Sequence, residues 1–460
     1  MTMKVLYDKV MITFKGFDPE KTHVIQIEQS LFARWDVTIN ERITLIAGSN
    51  QASLLVRPFS AKKPMIQISR HISHQLSLPI LPFPVQITYN KEKRELRIGP
   101  FLSVLTDHPI EKMNGTFGTM ETFLQEMKTL CEQKGFPFYV HKLQAAKDAG
   151  HVEGYWNVNE GWEHRSLPLP DVVYNRIHSR AQEKSAAFQD YLNELHALNI
   201  PIFNGGFLSK KEVHEILADK EELLPFLPDT IPLNKEEDFS AFIEKHHVVY
   251  VKPSFGSQGK NICKLTETAE GWVLEHSKDI KDTYLFATVT ELFAVLKRTI
   301  KHRSFIVQKG IPLLEFDHKK IDFRILLNKS KNQSWKITSL VARIGNAGHI
   351  VSNLSRGGEM KNAADFLKSA FTENEALTLY KEISKLALQT ANCVIEQRAD
   401  LFGELGIDIA LDTNKQPWII EVNSKPSKAF QGSYEKFRPS VKSIIEYMHS
   451  LYDGGKPTRP

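Results

Sequence analysis

The segment GIDIALDTNKQPWIIEVN places two carboxylates and an amide, Asp408, Glu421 and Asn423, at the ends of two apolar runs. The runs flank a turn around Asn414, which predicts two antiparallel strands with Asp408 opposite the Glu421 and Asn423 end. Glu421 and Asn423 are two residues apart, so both face one side of their strand. Two carboxylates and an amide oxygen are hard donors, suited to Mg²⁺ bridging nucleotide phosphates. Taken alone, the segment also reads as the polar end of a hairpin.

A second set lies in VVYVKPSFGSQGK (248–260). An apolar strand delivers Lys252, Gly256 and Gly259 flank Ser257 and Gln258, and Lys260 follows. Glycines let backbone amides approach phosphate oxygens, and lysines bring charge to the same group. The GxxxxGK[ST] spacing is absent, so this is not a Walker A loop. A tight turn with solvated lysines fits the stretch equally well on its own. A third set comprises Asp322-Phe-Arg324, Arg343 and SNLSRGG (352–358). Arg324 and Arg343 fall on the two strands of one predicted hairpin, and forked guanidinium groups bind carboxylates and phosphates bidentately. The competing reading is a surface loop with solvated arginines. The close histidine pairs, His71/His74 and His246/His247, have no further ligand at metal spacing. Cys131, Cys263 and Cys393 are too dispersed for a disulfide framework or a cysteine-only zinc site, and Cys263 reads as a small buried hydrophobe. There is no GxSxG nucleophile.

The elements that must position these groups fall into three stretches, as expected for 460 residues at roughly 150 per domain. Residues 1–95 are rich in short β-branched runs and read as a β domain, a barrel or a sandwich. Residues 96–202 read as a small α/β unit: strand FLSVLT, a helix over 113–135 ending at Gly135, strand PFYVHKL, a polar interruption over 150–170, strand DVVYNRI, and a helix over 178–198. Residues 203–450 read as one larger α+β unit, with a helix at 209–219 and a long helix at 372–398. In the long helix Thr372 and Glu375 form a capping box, and Leu377, Tyr380, Ile383, Ala387 and Val394 form the buried stripe. Residues 451–460 read as a flexible tail. The net charge of +5 is too small to indicate a nucleic-acid partner. No run reaches the length of a membrane span and no secretory signal is evident, so the expected setting is reduced and intracellular.

In order, a strand Lys-Pro with a glycine turn, a linker strand, an arginine hairpin and Asp…Glu-x-Asn resemble the ATP-grasp superfamily. The spacing of Asp408, Glu421 and Asn423 is similar to that of D-alanine:D-alanine ligases, and DFRIL…ARIG…SNLSRGG…GIDIALD…IIEVNSKPS is similar to RimK-type glutamate ligases. PDVVYNRI, VYVKPSFGSQGK, the DFR hairpin ending in ARIG, and EVNSKPS together resemble the YheC/YheD family of endospore coat-associated proteins. The resemblance implies an ATP-grasp fold, in which two α+β lobes clamp ATP, preceded by a pre-ATP-grasp α/β domain and the β-rich domain. It implies that Lys210, Lys252, Gly256, Ser257, Gln258, Gly259 and Lys260 bind the phosphates. Gln308, Lys309 and Ile311 would form the linker whose backbone reads the adenine edge, with Glu315 toward the ribose. Many relatives carry an acidic residue where Lys309 stands. Arg324, Arg343 and Lys252 would serve the transfer, and Asp408, Glu421 and Asn423 would hold two Mg²⁺ ions. D-alanine ligases have an arginine at the place of Gly406, a function Arg324 would have to cover. The implied activity is ATP-dependent ligation of a carboxylate to an amine through an acylphosphate, in the mother-cell cytoplasm or at the spore coat. Spore coat proteins are then candidate partners, with no nucleic acid and no membrane. A phosphoryl-transferring kinase and a structural coat protein with a retained ATP site are the alternatives.

Overall fold

Period-two alternation organises the N-terminal region. β1 (Val5–Lys15), β2 (Val24–Glu28), β3 (Arg42–Ala47), β4 (Asn50–Phe59), β5 (Met65–Ser69), β6 (Phe83–Asn90) and β7 (Glu95–Ile98) close into a barrel in the order β1-β5-β2-β4-β3-β7-β6. Helices α1 (Gln29–Trp35) and α2 (Arg70–Gln75) accompany it. In β6, Phe83, Val85, Ile87 and Tyr89 are buried and the residues between them are not, so one face feeds the core. Of the barrel and the sandwich left open by the sequence, the chain forms the barrel. The computed structural model describes residues 5–15, 23–108, 110, 115–144, 150–158, 161–256, 261–277, 283–300, 304–345, 358–398, 400–428 and 437–454.

A six-stranded sheet follows, built from β8 (Leu102–Leu105), β9 (Phe138–His141), β10 (His151–Val158), β11 (Gly161–Pro168), β12 (Val172–Asn175) and β13 (Ile202–Phe203) in the order β11-β10-β9-β8-β12-β13. β9, β8, β12 and β13 run parallel. Every residue of β8, β9 and β12 is buried, as parallel strands covered on both faces require. α3 (Glu121–Lys134) stops at Gly135, whose φ is +76°. A side chain there would bring Cβ to 2.9 Å from the Gln86 amide. Two expectations change. The polar stretch is not an interruption but the hairpin β10–β11, which extends the sheet antiparallel from β9. The expected helix over 178–198 is two helices, α4 (Arg180–Glu183) and α5 (Ala186–Ala197), because the Ser185 hydroxyl accepts from the Phe188 amide and starts a new helix. Phe101, Tyr139, Val152, Trp156 and Leu167 pack into the same core as the barrel residues.

From α6 (Lys210–Ala218) the chain builds two further sheets. The first lobe contains β14 (Thr230–Pro232), α7 (Glu236–Lys245), β15 (Val248–Pro253), β16 (Cys263–Thr268), β17 (Gly271–His276), β18 (Thr283–Phe286), α8 (Val289–Ile300) and β19 (Phe305–Lys309). Its strands are antiparallel in the order β14-β19-β15-β16-β17-β18, over a core that includes Phe239, Val249, Val251 and Leu292. The second lobe contains β20 (Glu315–Phe316), β21 (Lys319–Lys329), β22 (Trp335–Ile344), β23 (Glu359–Asn362), α9 (Ala363–Ala370), α10 (Glu373–Glu396), β24 (Glu404–Leu411) and β25 (Pro417–Asn423). Its sheet runs β23-β22-β21-β24-β25, with β20 paired to β21.

The capping box at Thr372 and Glu375 forms, but the buried stripe of α10 is shifted. Ala376, Leu379, Ile383, Leu386, Ala387 and Val394 are buried, whereas Leu377 is 53% exposed. The last helix, α11 (Pro439–Gly454), runs into the stretch expected as a tail; residues 455–460 lie outside the described residues. By mutual packing the chain divides into two units. One comprises 1–205, 329–334 and 427–460, the other 206–328 and 335–426. No helix among the described residues is long and apolar enough to cross a membrane.

Candidate functional site

The second lobe sets its carboxylates by strand register. β24 and β25 pair Asp408 with Glu421 and Gly406 with Asn423. The register then shifts, because Ile409 pairs with Ile419 and leaves Ile420 as a bulge. The bulge reverses the alternation of β25, so Ile419 and Val422 both enter the core while Glu421 and Asn423 share the opposite face with Asp408. β21 brings Arg324 beside Asp408 on the other side. The Arg324 fork grips Asp408 with both Nε and Nη2, the latter at 2.9 Å. Arg343 on β22 grips Asp322 at 2.5 and 2.7 Å and reaches Asp408 at 3.0 Å. Burial alone would raise the Asp408 carboxyl, but Arg324 and Arg343 outweigh it and hold it below the usual carboxylate range. Burial would likewise lower Arg343, and Asp408 and Asp322 push it up instead. Asp322 stood only as a neighbour of Arg324 in the sequence; the structure makes it the anchor of Arg343.

Asp408, Glu421 and Asn423 fit a magnesium site by donor chemistry. They offer two carboxylates and an amide oxygen on one sheet face. No group of three or more His, Cys, Asp and Glu side chains suited to a metal occurs among the described residues. A sparse oxygen set of this kind suits Mg²⁺, which takes the rest of its shell from phosphates and water. Gly406 cannot be the arginine found in D-alanine ligases without movement, since a Cβ there would lie 2.9 Å from Pro426 Cβ. Arg324 occupies the next row of the same face instead.

The first lobe contributes cations of a different kind. Lys252 donates to Gln308 Oε1 at 2.6 Å, and Gln308 Nε2 donates to the Thr230 hydroxyl at 3.0 Å. Lys252 is half-buried. Burial first, and then the nearby charge of Lys210, pulls that ammonium down to about 8, with Glu421 opposing only in part. Lys210 begins α6, where Ser209 and Glu212 form a capping box. Its Nζ donates to Glu421 Oε1 at 2.8 Å and to the Gly256 carbonyl at 3.1 Å, tying the glycine turn to the second lobe. Ser257, Gln258, Gly259 and Lys260, and Ser352–Gly357 of the arginine loop, lie outside the described residues.

The linker residues Gln308 and Lys309 fall on two faces of β19. Lys309 donates its amide to Asp229 O and Gly310 to Val248 O, so these two amides are already engaged. Gln308 faces Lys252, so by alternation the Lys309 side chain lies on the other face, where its charge is felt by His246. The side chain that meets the site from the linker is therefore Gln308, and the cation at Lys309 is directed elsewhere. Ile311 is partly buried, and Glu315 is exposed on β20 opposite Lys320.

Lys210, Gln308, Ile420 and Glu421 line a small cleft whose walls are largely apolar, from Val213, Leu217, Leu227, Pro228 and Ile306. His214, one turn after Lys210 on α6, also lines it, and burial lowers its pKa against the opposing charges of Glu215 and Asp229. The sequence offered one signal for His214, its i+4 spacing from Lys210. The cleft thus combines an apolar slot with Lys210, Gln308 and Glu421 at one end, and Lys252 is bonded to that Gln308, a combination suited to a flat base joined to a polyphosphate.

A family profile described as YheC/D like ATP-grasp matches residues 199–451. The chain belongs to this family. It is 29% identical over 371 residues to the endospore coat-associated protein YheD of Bacillus subtilis (strain 168), covering 79% of this chain and 80% of YheD. It is 22% identical over 277 residues to YheC of the same organism, covering 60% of this chain and 75% of YheC. Among solved structures, it is similar to the D-alanine-D-alanine ligase from Coxiella burnetii, with a TM-score of 0.45 and 11% identity, covering 77% of this chain and 96% of that one. The two lobes are an ATP-grasp fold.

Proposed function

We propose that this chain is an ATP- and Mg²⁺-dependent ligase that joins a carboxylate to an amine through an acylphosphate. The observation that carries the reading is one cleft lined by Lys210, Gln308 and Glu421, with Lys252 held on Gln308 and with Asp408, Arg324 and Arg343 on the adjoining strands. Lys252 and Lys210 would hold the phosphates, with the glycine turn over them, and Gln308 and the apolar slot would hold the base. Asp408, Glu421 and Asn423 would hold Mg²⁺, two ions when the nucleotide is in place. The metal would neutralise charge on the transferring phosphoryl group.

Arg324 and Arg343 would orient the acceptor carboxylate, with Asp408 and Glu421 given over to Mg²⁺. A carboxylate oxygen takes the γ-phosphate, ADP leaves, and an amine then displaces phosphate from the acylphosphate. Such transfer rests on alignment and charge rather than on a protein nucleophile. The three cysteines accord with this, since all are buried and burial raises their pKa values. The names of the relatives YheD and YheC point to the spore coat. On that ground we place the activity in coat formation, in the mother-cell cytoplasm or at the coat, with a coat protein or a small carboxylate as acceptor.

The test is thermal melting with ATP and Mg²⁺, followed by product analysis with mixed amino acids and dicarboxylates. ATP with Mg²⁺ should raise the melting temperature, and Glu421→Ala should remove the shift. ADP and phosphate should appear in step with a new amide. A phosphorylated product in place of phosphate would replace the ligase by a kinase, and an absent shift in the parent would remove the nucleotide reading.

A further inference from the structure

β18 is an outer strand of the first-lobe sheet, paired on one side with β17. An outer strand offers a row of backbone donors and acceptors to another chain, and folds usually blunt it with charge, proline or shortness. Other outer strands here follow that rule. β11 carries Glu163 and Arg165, β23 carries Glu359 and Lys361, β14 ends in Pro232, and β13 has two residues. β18 reads Thr283-Tyr284-Leu285-Phe286, with neither charge nor proline. Tyr284 is 49% exposed and Leu285 53%. As neighbours in a strand they point to opposite faces, so the edge is apolar on both sides.

α8 covers the same margin. Its Leu292, Leu296 and Ile300 face the core, and Phe293 packs on Phe239 of α7 with centroids 5.5 Å apart. Val295 stands about 200° round the helix from Phe293, on the flank away from α7. Since α8 packs against both α7 and β18, that flank is the one toward the outer margin of the sheet. Glu291, Val295 and Arg298, at i, i+4 and i+7, form an exposed stripe along it. Among the described residues no ion pair engages Glu291 or Arg298.

We propose that a second copy of this chain covers this edge, with β18 pairing antiparallel to β18 about a two-fold axis perpendicular to the sheet. The charge pattern selects that occupant. The axis passes between the two Leu285 residues and sets Tyr284 of each copy opposite Phe286 of the other, apolar against apolar. It keeps both α8 helices on one face and runs them antiparallel. The stripe then reads in opposite senses on the two copies, so Glu291 meets Arg298, Val295 meets Val295, and Arg298 meets Glu291. Such self-complementarity is what a two-fold contact requires. An isolated foreign strand would satisfy the backbone of β18 and leave both charges of α8 unmatched. The pairing does not depend on the ligase reading.

The test is sedimentation velocity of the full chain over a wide range of concentration. The mass should rise from one copy toward two and stop there. Leu285→Lys, at an exposed position, should hold the chain at one copy with its circular dichroism unchanged. Glu291→Arg and Arg298→Glu should each weaken association by about tenfold, because the two-fold repeats each like-charge contact. The chain carrying both exchanges should regain the association of the parent, since the two residues then meet again with their signs reversed. A single-copy mass at every concentration overturns the pairing and leaves the edge to a foreign strand. Association indifferent to Leu285→Lys, growth past two copies, or a double exchange that restores nothing overturns it as well.

Discussion

The two lobes hold their charges in opposite ways. In the second lobe Asp408, Arg324, Arg343 and Asp322 neutralise one another in a nearly closed set of ion pairs. In the first lobe Lys252 rests on a neutral amide, with its pKa brought down to about 8. A saturated pair gives little to an incoming anion until something replaces one partner. A half-buried ammonium whose hydrogen bond goes to a neutral amide gains directly from a phosphate. On the proposed reading, phosphates would engage the first lobe directly, and the arginines of the second lobe would serve an acceptor only where Asp408 is given over to another cation.

The largest expected effect breaks the second lobe. Asp408→Ala leaves Arg324 without its carboxylate partner and Arg343 with Asp322 alone. It should destabilise the chain by about 3–5 kcal/mol in urea unfolding. Asp408→Asn, which keeps the shape and loses the charge, should cost less. If Asp408→Ala is neutral, the ion-pair set does not hold this sheet. Next in size is Lys252→Met, measured by ATP titration near neutral pH. Affinity should fall by about one to two orders of magnitude, since one charge-assisted contact is lost, while stability does not fall. That contrast with Asp408→Ala is what distinguishes a binding charge from a structural one.

The third expectation is a pH dependence. Above about 8, Lys252 loses its proton in the free protein, so affinity for ATP should decline as pH rises past that value, by up to about tenfold per unit. Stability moves the other way. Between about 8 and the ordinary 10.5, the unfolded chain binds this proton and the folded chain does not. The contribution of Lys252 to unfolding free energy therefore rises with pH across that window. Lys252→Arg should flatten both trends. The smallest effect is Gln308→Glu, which gives Lys252 a charged partner and makes the first lobe resemble the second. ATP affinity should drop a few-fold and its decline should move to higher pH. An unchanged pH profile would show that Lys252 is not the titrating group.

Much of this site was legible because it is local. Glu421 and Asn423 share a face by strand alternation alone. What escaped depends on contacts far apart in sequence. Nothing near Lys210 announces Glu421, and nothing near Arg343 singles out Asp322 as its anchor. The Ile420 bulge shifts β25 by one residue, an event without a residue signature, since isoleucine is an ordinary strand residue. Leu377 was assigned to the wrong stripe because α10 also has apolar residues at Ala376 and Leu379, and only packing against β22 and β24 selects between the two phases.

The most direct test of the account is calorimetric titration of ATP with Mg²⁺ at about pH 9, in buffers of different ionisation enthalpy. At that pH most Lys252 is deprotonated before binding. Binding should therefore draw a proton from the buffer in the parent chain and draw none in Lys252→Met. Binding without proton uptake in the parent, or the same uptake in the variant, would contradict the claim that Lys252 is the charge held in reserve for the nucleotide.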